Sequence, residues 1–259
     1  MKEEKGIIAD NRNIGGDFFL TKIKAPYIAK NSIPGNFVMI AVSNSNDPLL
    51  KRPLGIFNSE PPFIYIYYET VGKGTDLLSK KQKNDAVDLI GPLGNGFPIP
   101  PENEKVLLIG GGRGIAPLFY ALNRLRSDNL IYTVYGASNR NSLNFTNEIE
   151  VLNPGRNYFY TDDGSAFSKG FVTSEIDKIA NNTDAGIIFS CGPHAMLKSL
   201  SKITSRLGLK NHTSLEARMG CGFGVCHSCV VKDSAGNYKK VCVDGPVFDS
   251  EEVDWETLK

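Results

Sequence analysis

"KVLLIGGGRGIAPLFYALNRLR", residues 105–126, decides the fold. Val106 to Ile109 form a compact apolar run, suited to a parallel strand buried on both faces. After the glycines, Ile115, Leu118, Phe119, Leu122 and Leu125 recur at the spacing of one helical face. A strand that turns through glycine straight into a helix lets the backbone approach a pyrophosphate and aim helix N–H groups at it. Gly110, Gly111, Gly112 and Gly114 are the candidates for that approach. The spacing departs from GxGxxG, because Ile115 stands where the last glycine would fall. A tight strand–helix connection without any ligand would use the same residues.

Toward the C-terminus, "NLIYTVYGA" (129–137), "NYFYTDDG" (157–164) and "AGIIFSCGP" (185–193) read as further strands. Helical stretches lie between them, ending with "HAMLKSLSKITSRLGL" (194–209). Strands alternating with helices predict a parallel sheet covered on both faces. Cys191, Gly192 and Pro193 fall at a strand's C-terminal end, just before a helix, where open α/β sheets hold their ligands. Cys191 equally suits a small buried hydrophobe.

Toward the N-terminus the texture is different. "DFFLTKIKA", "GNFVMIAV" and "FIYIYYETV" are aromatic and β-branched, roughly alternating, and broken by Gly, Pro and Asn, which predicts an antiparallel β-barrel. "GPLGNGFPIPPENEK", residues 91–105, reads as a linker. The expected domains are 1–100, 101–211 and 212–259. Within the first, "KRPLGIF" puts Arg52 ahead of a proline-stiffened strand, and Gly74 and Thr75 sit at a turn that opens a short helix. A guanidinium and a helix start can each meet a phosphate, and Tyr67 or Tyr68 can cover a flat ring. A surface arginine and barrel tyrosines are the plainer reading.

The tail holds Cys221, Cys226, Cys229 and Cys242 in the spacing C-x4-C-x2-C-x12-C. A disulfide framework, a zinc site and an iron–sulfur cluster are the candidates. With Cys191 the chain has five cysteines, an odd number for a fully paired framework. Structural zinc sites usually show two tight knuckles. One trio with a lone distant partner is instead the arrangement of plant-type [2Fe–2S] centres. Gly220, Gly222 and Gly224 let the loop wrap closely and turn N–H groups toward sulfur. His212 and His227 are conceivable zinc ligands.

The whole chain sets outer limits. Its 259 residues are 41% hydrophobic and 22% charged, with a formal net charge of +1. That charge gives no ground for nucleic-acid or anionic-membrane binding. No window approaches a membrane span, and "MKEEKGIIAD" lacks the apolar core of a signal peptide, so a cytoplasmic location is expected. Clustered thiols in a reducing compartment favour metal or redox work over disulfides.

Together "RPLG", "GKGT", "LIGGGRGIAPL", "YTDDGS", "CGPHAML", "SLEARMGCGFGVCHSC" and "VCVDGPVF" resemble, in this order, the ferredoxin–NADP reductase superfamily. More closely, they resemble its branch of electron-transfer subunits of NAD-dependent (type B) dihydroorotate dehydrogenases. The resemblance covers almost the whole chain, and the tail is its most specific part. It implies an FAD-binding barrel, an NAD-binding α/β domain and a C-terminal [2Fe–2S] domain. FAD would be held by Arg52, Pro53, Leu54 and Gly55, by Tyr67, Tyr68 and Glu69, and by Gly74 and Thr75. The cluster would be held by Cys221, Cys226, Cys229 and Cys242.

The resemblance also implies a partner: an FMN-containing catalytic subunit, two of each in a heterotetramer, with electrons passing from dihydroorotate through that FMN, the cluster and FAD to NAD⁺ in pyrimidine biosynthesis. The carbon-acid chemistry would belong to the partner, and this chain would hold no catalytic base. Two positions depart from the family pattern: Gly55, where serine is common, and Arg113, where an aliphatic residue is usual. The alternatives are a reductase subunit of another flavin/iron–sulfur complex, of the NADH-dependent ferredoxin:NADP reductase or sulfide dehydrogenase type, and a non-enzymatic redox sensor. NAD(H) is expected over NADP(H). "YGASNRNSL" has no acidic residue for the ribose and offers Arg140. Asp162 and Asp163 after the next strand weigh the other way, and the family resemblance tips the balance to NAD(H).

Overall fold

The computed structural model describes residues 1–43 and 45–258. Its first layer is a closed antiparallel barrel of β1 (Lys2–Gly15), β2 (Phe18–Lys24), β3 (Phe37–Ile40), β4 (Arg52–Glu60), β5 (Phe63–Glu69) and β6 (Ala86–Leu93), with strand order β1-β2-β5-β4-β3-β6. Two short helices, α1 (Pro26–Asn31) and α2 (Lys73–Ser79), lie in the connections. β1 is long, and within it only Gly6 and Ile8 are buried. Its pairing with both β2 and β6 closes the barrel. Ile8, Ile23, Ile40, Ile56, Ile64 and Ile66, all fully buried, fill the interior. The predicted linker starts later than its proline and glycine content suggests. Gly91 to Leu93 finish β6, pairing with β1 and β3.

The second layer alternates as expected: β7 (Lys105–Gly111), α3 (Ile115–Leu125), β8 (Leu130–Ala137), α4 (Thr146–Leu152), β9 (Asn157–Thr161), β10 (Ser168–Lys169), α5 (Ile176–Thr183), β11 (Ile187–Cys191), α6 (His194–Leu207) and β12 (Lys210–Ser214). Three short strands follow in the tail: β13 (Val230–Lys232), β14 (Tyr238–Lys240) and β15 (Val247–Asp249). The main sheet runs β10-β9-β8-β7-β11-β12-β15. Every pairing in it is parallel except the last. The chain leaves β7 toward β9, then crosses back to β11 on the other side, so the order reverses between β7 and β11. Such a reversal opens a crevice at the strands' C-terminal ends.

α3 locks this sheet to the barrel. The Phe119 and Phe57 rings stack with centroids 4.3 Å apart. The Tyr120 hydroxyl donates to the Ser32 carbonyl at 2.9 Å, and Asn123 Nδ2 donates to Asn58 Oδ1 at 3.1 Å. The tail is pinned at both layers. β15 pairs antiparallel with β12, and Asn95 Nδ2 donates to the Val243 and Asp244 carbonyls at 3.0 and 3.1 Å. The residues expected to begin a separate domain at 212 therefore start inside a strand shared with the sheet. Among the described residues no helix is long and apolar enough to cross a membrane.

Candidate functional site

On the barrel, Arg52 opens β4 and lies against the first turn of α2. A Cβ at Gly74 would stand 2.2 Å from Arg52 Nε and 2.8 Å from its Cζ, so only glycine admits the guanidinium here. Thr75 Oγ1 accepts from the Val71 and Gly72 N–H groups at 3.0 and 3.3 Å, fixing the turn. Pro53, Leu54 and Gly55 follow Arg52 along the strand, half-buried. Gly55 faces open space, with no atom within 4 Å of a Cβ built there, so the missing serine side chain is not replaced by protein. Arg52, Gly74 and Thr75 thus lie together, with Arg52 Nη1 donating to the Leu50 carbonyl at 2.5 Å.

The two tyrosines depart from expectation. Tyr67 is 4% and Tyr68 2% exposed, on opposite faces of β5. Tyr67 stacks on Phe18 and meets Phe145 edge-on, while its hydroxyl accepts from Asn144 Nδ2 at 3.1 Å. Burial pushes both phenols up to about 12. Neither ring offers a free face to a ligand. Of this segment only Glu69, at the end of β5, lines the cleft at the reversal between β7 and β11.

At the reversal between β7 and β11 lies a cleft of about 1000 Å³, lined among others by Glu69, Arg113, Asp162, Pro193, Glu216 and Arg218. Gly110 pairs with Cys191 in the sheet, which sets the glycine turn beside the Cys-Gly-Pro loop. The fit is close. A Cβ at Gly114 would stand 2.2 Å from the Cys191 carbonyl oxygen, and one at Gly111 would stand 2.6 Å from Met196 Sδ. Gly112 has φ +52° and an open side, as a turn leading into a helix against a ligand requires. Cys191 itself is buried, and that burial pushes its thiol up, with Glu216 adding to the effect.

The lining also exposes residues that motif reasoning passed over. Glu216 and Arg218 project from the segment between β12 and the cysteine loop, and Leu258 comes from the C-terminus. Their signal was present in "SLEARMG", but only the sheet order places that stretch at the crevice.

In the tail the four cysteines fall into two pairs. The Cys221 N–H donates to Cys226 Sγ at 3.3 Å and the Cys226 N–H to Cys221 Sγ at 3.4 Å. Cys229 Sγ and Cys242 Sγ are 3.2 Å apart. Gly222 and Gly224 take φ of +83° and +91°, and His227 +55°, so the loop coils around its sulfurs. Ser228 Oγ accepts from the Gly220 N–H at 2.9 Å, which leaves its own proton for Cys226 Sγ at 3.1 Å. That hydroxyl, with backbone N–H groups, holds the Cys226 thiol down at about 6, while burial lifts Cys242 to about 12.

Among the described residues no three His, Cys, Asp or Glu side chains converge as a single-ion site requires. Two sulfur pairs suit two irons better than one zinc, and the N–H groups aimed at sulfur suit a cluster. His212 sits instead on β12 against Phe189, with ring centroids 5.8 Å apart.

A closed antiparallel barrel, a parallel sheet with a switch-point cleft and a thiol-lined tail define an electron-transferring oxidoreductase of the ferredoxin–NADP reductase fold. That fold is shared with the ferredoxin NADP⁺ reductase of Neisseria gonorrhoeae, solved with FAD and NADP, at a TM-score of 0.68 and 16% identity over 80% of this chain and 92% of that one. Residues 108–202 match the oxidoreductase NAD-binding domain, and residues 216–254 match the iron–sulfur cluster binding domain of dihydroorotate dehydrogenase B. The electron transfer subunit of dihydroorotate dehydrogenase B (NAD(+)) from Geobacillus sp. (strain WCH70) is 36% identical over 260 residues, 98% of this chain and 99% of that protein. A solved NADH-dependent reduced ferredoxin-NADP oxidoreductase superposes at a TM-score of 0.87, with 34% identity over 98% of this chain and 91% of that one.

The chain belongs to the family of electron-transfer subunits of NAD(+)-dependent dihydroorotate dehydrogenase B. Its cofactors are FAD, NAD and a [2Fe–2S] cluster, and the three sites just described fit them by cradle, cleft and donor set.

Proposed function

We propose that this chain carries electrons between an FMN-containing dihydroorotate dehydrogenase subunit and NAD⁺, in a cytoplasmic heterotetramer of two of each, as a step of pyrimidine biosynthesis. The observation that carries the reading is the cleft itself. Glu69 of the barrel, the Gly111–Gly114 turn and Glu216–Arg218 just ahead of the cysteine loop all line one cavity, which supports a path linking the three proposed sites. Together the bound groups supply conversion between hydride pairs and single electrons.

Residues 1–100 hold FAD through Arg52, Pro53, Leu54 and Gly55, the Tyr67–Glu69 backbone, Gly74 and Thr75. Residues 101–211 hold the nicotinamide nucleotide through Gly110, Gly111, Gly112, Gly114, Cys191, Gly192 and Pro193. Residues 212–259 hold the cluster through Cys221, Cys226, Cys229 and Cys242. Arg52 pairs with phosphate by its planar fork, and the glycine turn brings backbone N–H groups to the second pyrophosphate. Cys191 itself is buried behind Gly192 and Pro193, which line the cleft. The carbon-acid chemistry on dihydroorotate is assigned to the FMN subunit, and this chain carries only the electrons.

A second reading is favoured by the superposition on the NADH-dependent ferredoxin-NADP oxidoreductase over 98% of this chain, in which ferredoxin would replace the FMN subunit. One assay separates them. NADH oxidation with a dye should need this chain alone, and dihydroorotate-dependent NAD⁺ reduction should appear only on mixing with the FMN subunit. Absence of any gain on mixing, with ferredoxin reduced instead, would overturn the first reading.

A further inference from the structure

Arg113 is the residue of the glycine turn that no structural need explains. It is exposed on the one-turn helix Gly112–Gly114, directly ahead of α3, where the nucleotide's diphosphate is expected. Its side chain reaches across the cleft, and Nη1 meets Glu69 Oε2 of the barrel at 3.1 Å. The two side chains are 43% and 34% exposed, so water screens the pair and it adds little to stability. Yet both line the cleft. Among the described residues, the other carboxylates that line it are Asp162 and Glu216, and Arg218 is the other guanidinium. A dianionic diphosphate entering a cleft with three carboxylates needs a cation near the glycine turn, and Arg113 is the one mounted on that turn.

We propose that Arg113 is a binding residue for the diphosphate of the nicotinamide nucleotide, and that Glu69 is its resting partner, exchanged for phosphate when the nucleotide binds. Glu69 holds the guanidinium extended over the cleft and competes with the incoming ligand. A planar guanidinium that leaves a monodentate carboxylate contact for two phosphate oxygens gains hydrogen bonds in the exchange. The inference rests on the assignment of the glycine turn to the nucleotide.

The competition sets it apart from a simple strut between domains. If the ion pair only braced barrel against sheet, removing either member would have the same effect. If Glu69 competes with phosphate for Arg113, the two removals act in opposite directions. The experiment measures equilibrium dissociation constants for ADP-ribose, which carries the diphosphate and no redox group, on FAD-loaded holoprotein with flavin content checked in every variant. Arg113→Ala should weaken binding roughly tenfold, the order expected for a lost charge-assisted contact, and Arg113→Lys should recover part of it.

Glu69→Gln should tighten binding by a few-fold and lower its sensitivity to salt. AMP, with a single phosphate, should respond less than ADP-ribose in all three variants. Unchanged affinity in Arg113→Ala overturns the proposal, and so does Glu69→Gln that weakens binding or leaves it alone. Should Arg113→Ala lose its FAD, the sign of the Glu69→Gln effect and the Arg113→Lys affinity decide instead. A wild-type holoprotein that binds no ADP-ribose would sink the nucleotide site itself, a result distinct from failure of Arg113 alone.

Discussion

The Arg52 guanidinium rests on Gly74, so closely that a Cβ at 74 would come within 2.2 Å of Nε. One residue comes from β4 and the other from the first turn of α2, so a strand and a connection of the barrel meet at the proposed phosphate cradle. The obstacle a Cβ would meet is the end of a flexible side chain, so Gly74→Ala should fold normally while turning Arg52 away. The expected result is FAD affinity reduced about tenfold, similar to Arg52→Ala, with little change in Tm. Arg52→Lys should not restore full occupancy, because an ammonium cannot pair in the same planar fashion. Flavin-to-protein ratios after gel filtration check this, and full occupancy in Gly74→Ala would show that the cradle is not used.

Gly114 is the opposite case. Its neighbour is backbone, the Cys191 carbonyl at 2.2 Å from a built Cβ, and backbone there cannot step aside without parting β7 from β11. Gly114→Ala should cost on the order of 3 kcal/mol in unfolding free energy, as overpacking of a tight contact does. It should also lose nucleotide affinity. Chemical denaturation and ADP-ribose binding measure the two effects, and an unchanged midpoint would refute the close approach.

Much of this arrangement was legible in the sequence. Val106–Ile109 and the Ile115–Leu125 periodicity gave β7 and α3, and all five residues of the predicted helical face are buried. The cysteine spacing favoured iron–sulfur over zinc before any geometry. What escaped had weak local signal. β1 reads as charged and irregular because the barrel buries only two of its residues, and its role comes from pairing with strands far along the chain. β15 is three residues long and gains its place from β12. The Arg113–Glu69 pair joins residues of two layers, and no local pattern encodes such a contact.

The tail cysteines and Cys191 should separate cleanly by iron content. Cys242→Ser removes a member of the Cys229 pair and should abolish or strongly weaken the visible absorbance of the cluster. Cys191→Ala replaces a buried thiol at the end of β11, away from the tail pairs, and should leave iron stoichiometry unchanged. Iron determination and optical spectra on anaerobically purified protein decide it. Equal iron loss in both variants would reject the ligand set.

Gly222 couples the cluster loop to the barrel. At φ +83°, with a Cβ placed 2.4 Å from Met39 Cγ, any side chain there is strained by its own backbone and by a fully buried methionine. Gly222→Ala should lower iron occupancy and Tm together, while FAD content stays near that of the unchanged protein. Retained iron with normal stability would show that the loop tolerates another path.

The partner should dock over the same loop. Phe223, Val225 and Val243 are 40%, 72% and 42% exposed, large apolar side chains left in water beside the cysteines. A Cβ at Gly224 would sit 2.8 Å from Val243 Cγ2, so the loop and the Val243 segment form one continuous surface. Apolar surface at the centre of a stable interface is the kind that holds two subunits together, and charge there is disfavoured. Val225→Asp should therefore weaken association with the FMN subunit by about tenfold or more while leaving iron, FAD and dye-linked NADH oxidation intact. Because Val225 is the most exposed of the three, the substitution should not disturb folding. Titration of one subunit with the other, followed by dihydroorotate-dependent NAD⁺ reduction, reads the effect. Undiminished association in Val225→Asp, and again in Phe223→Asp, would move the docking face away from the cluster.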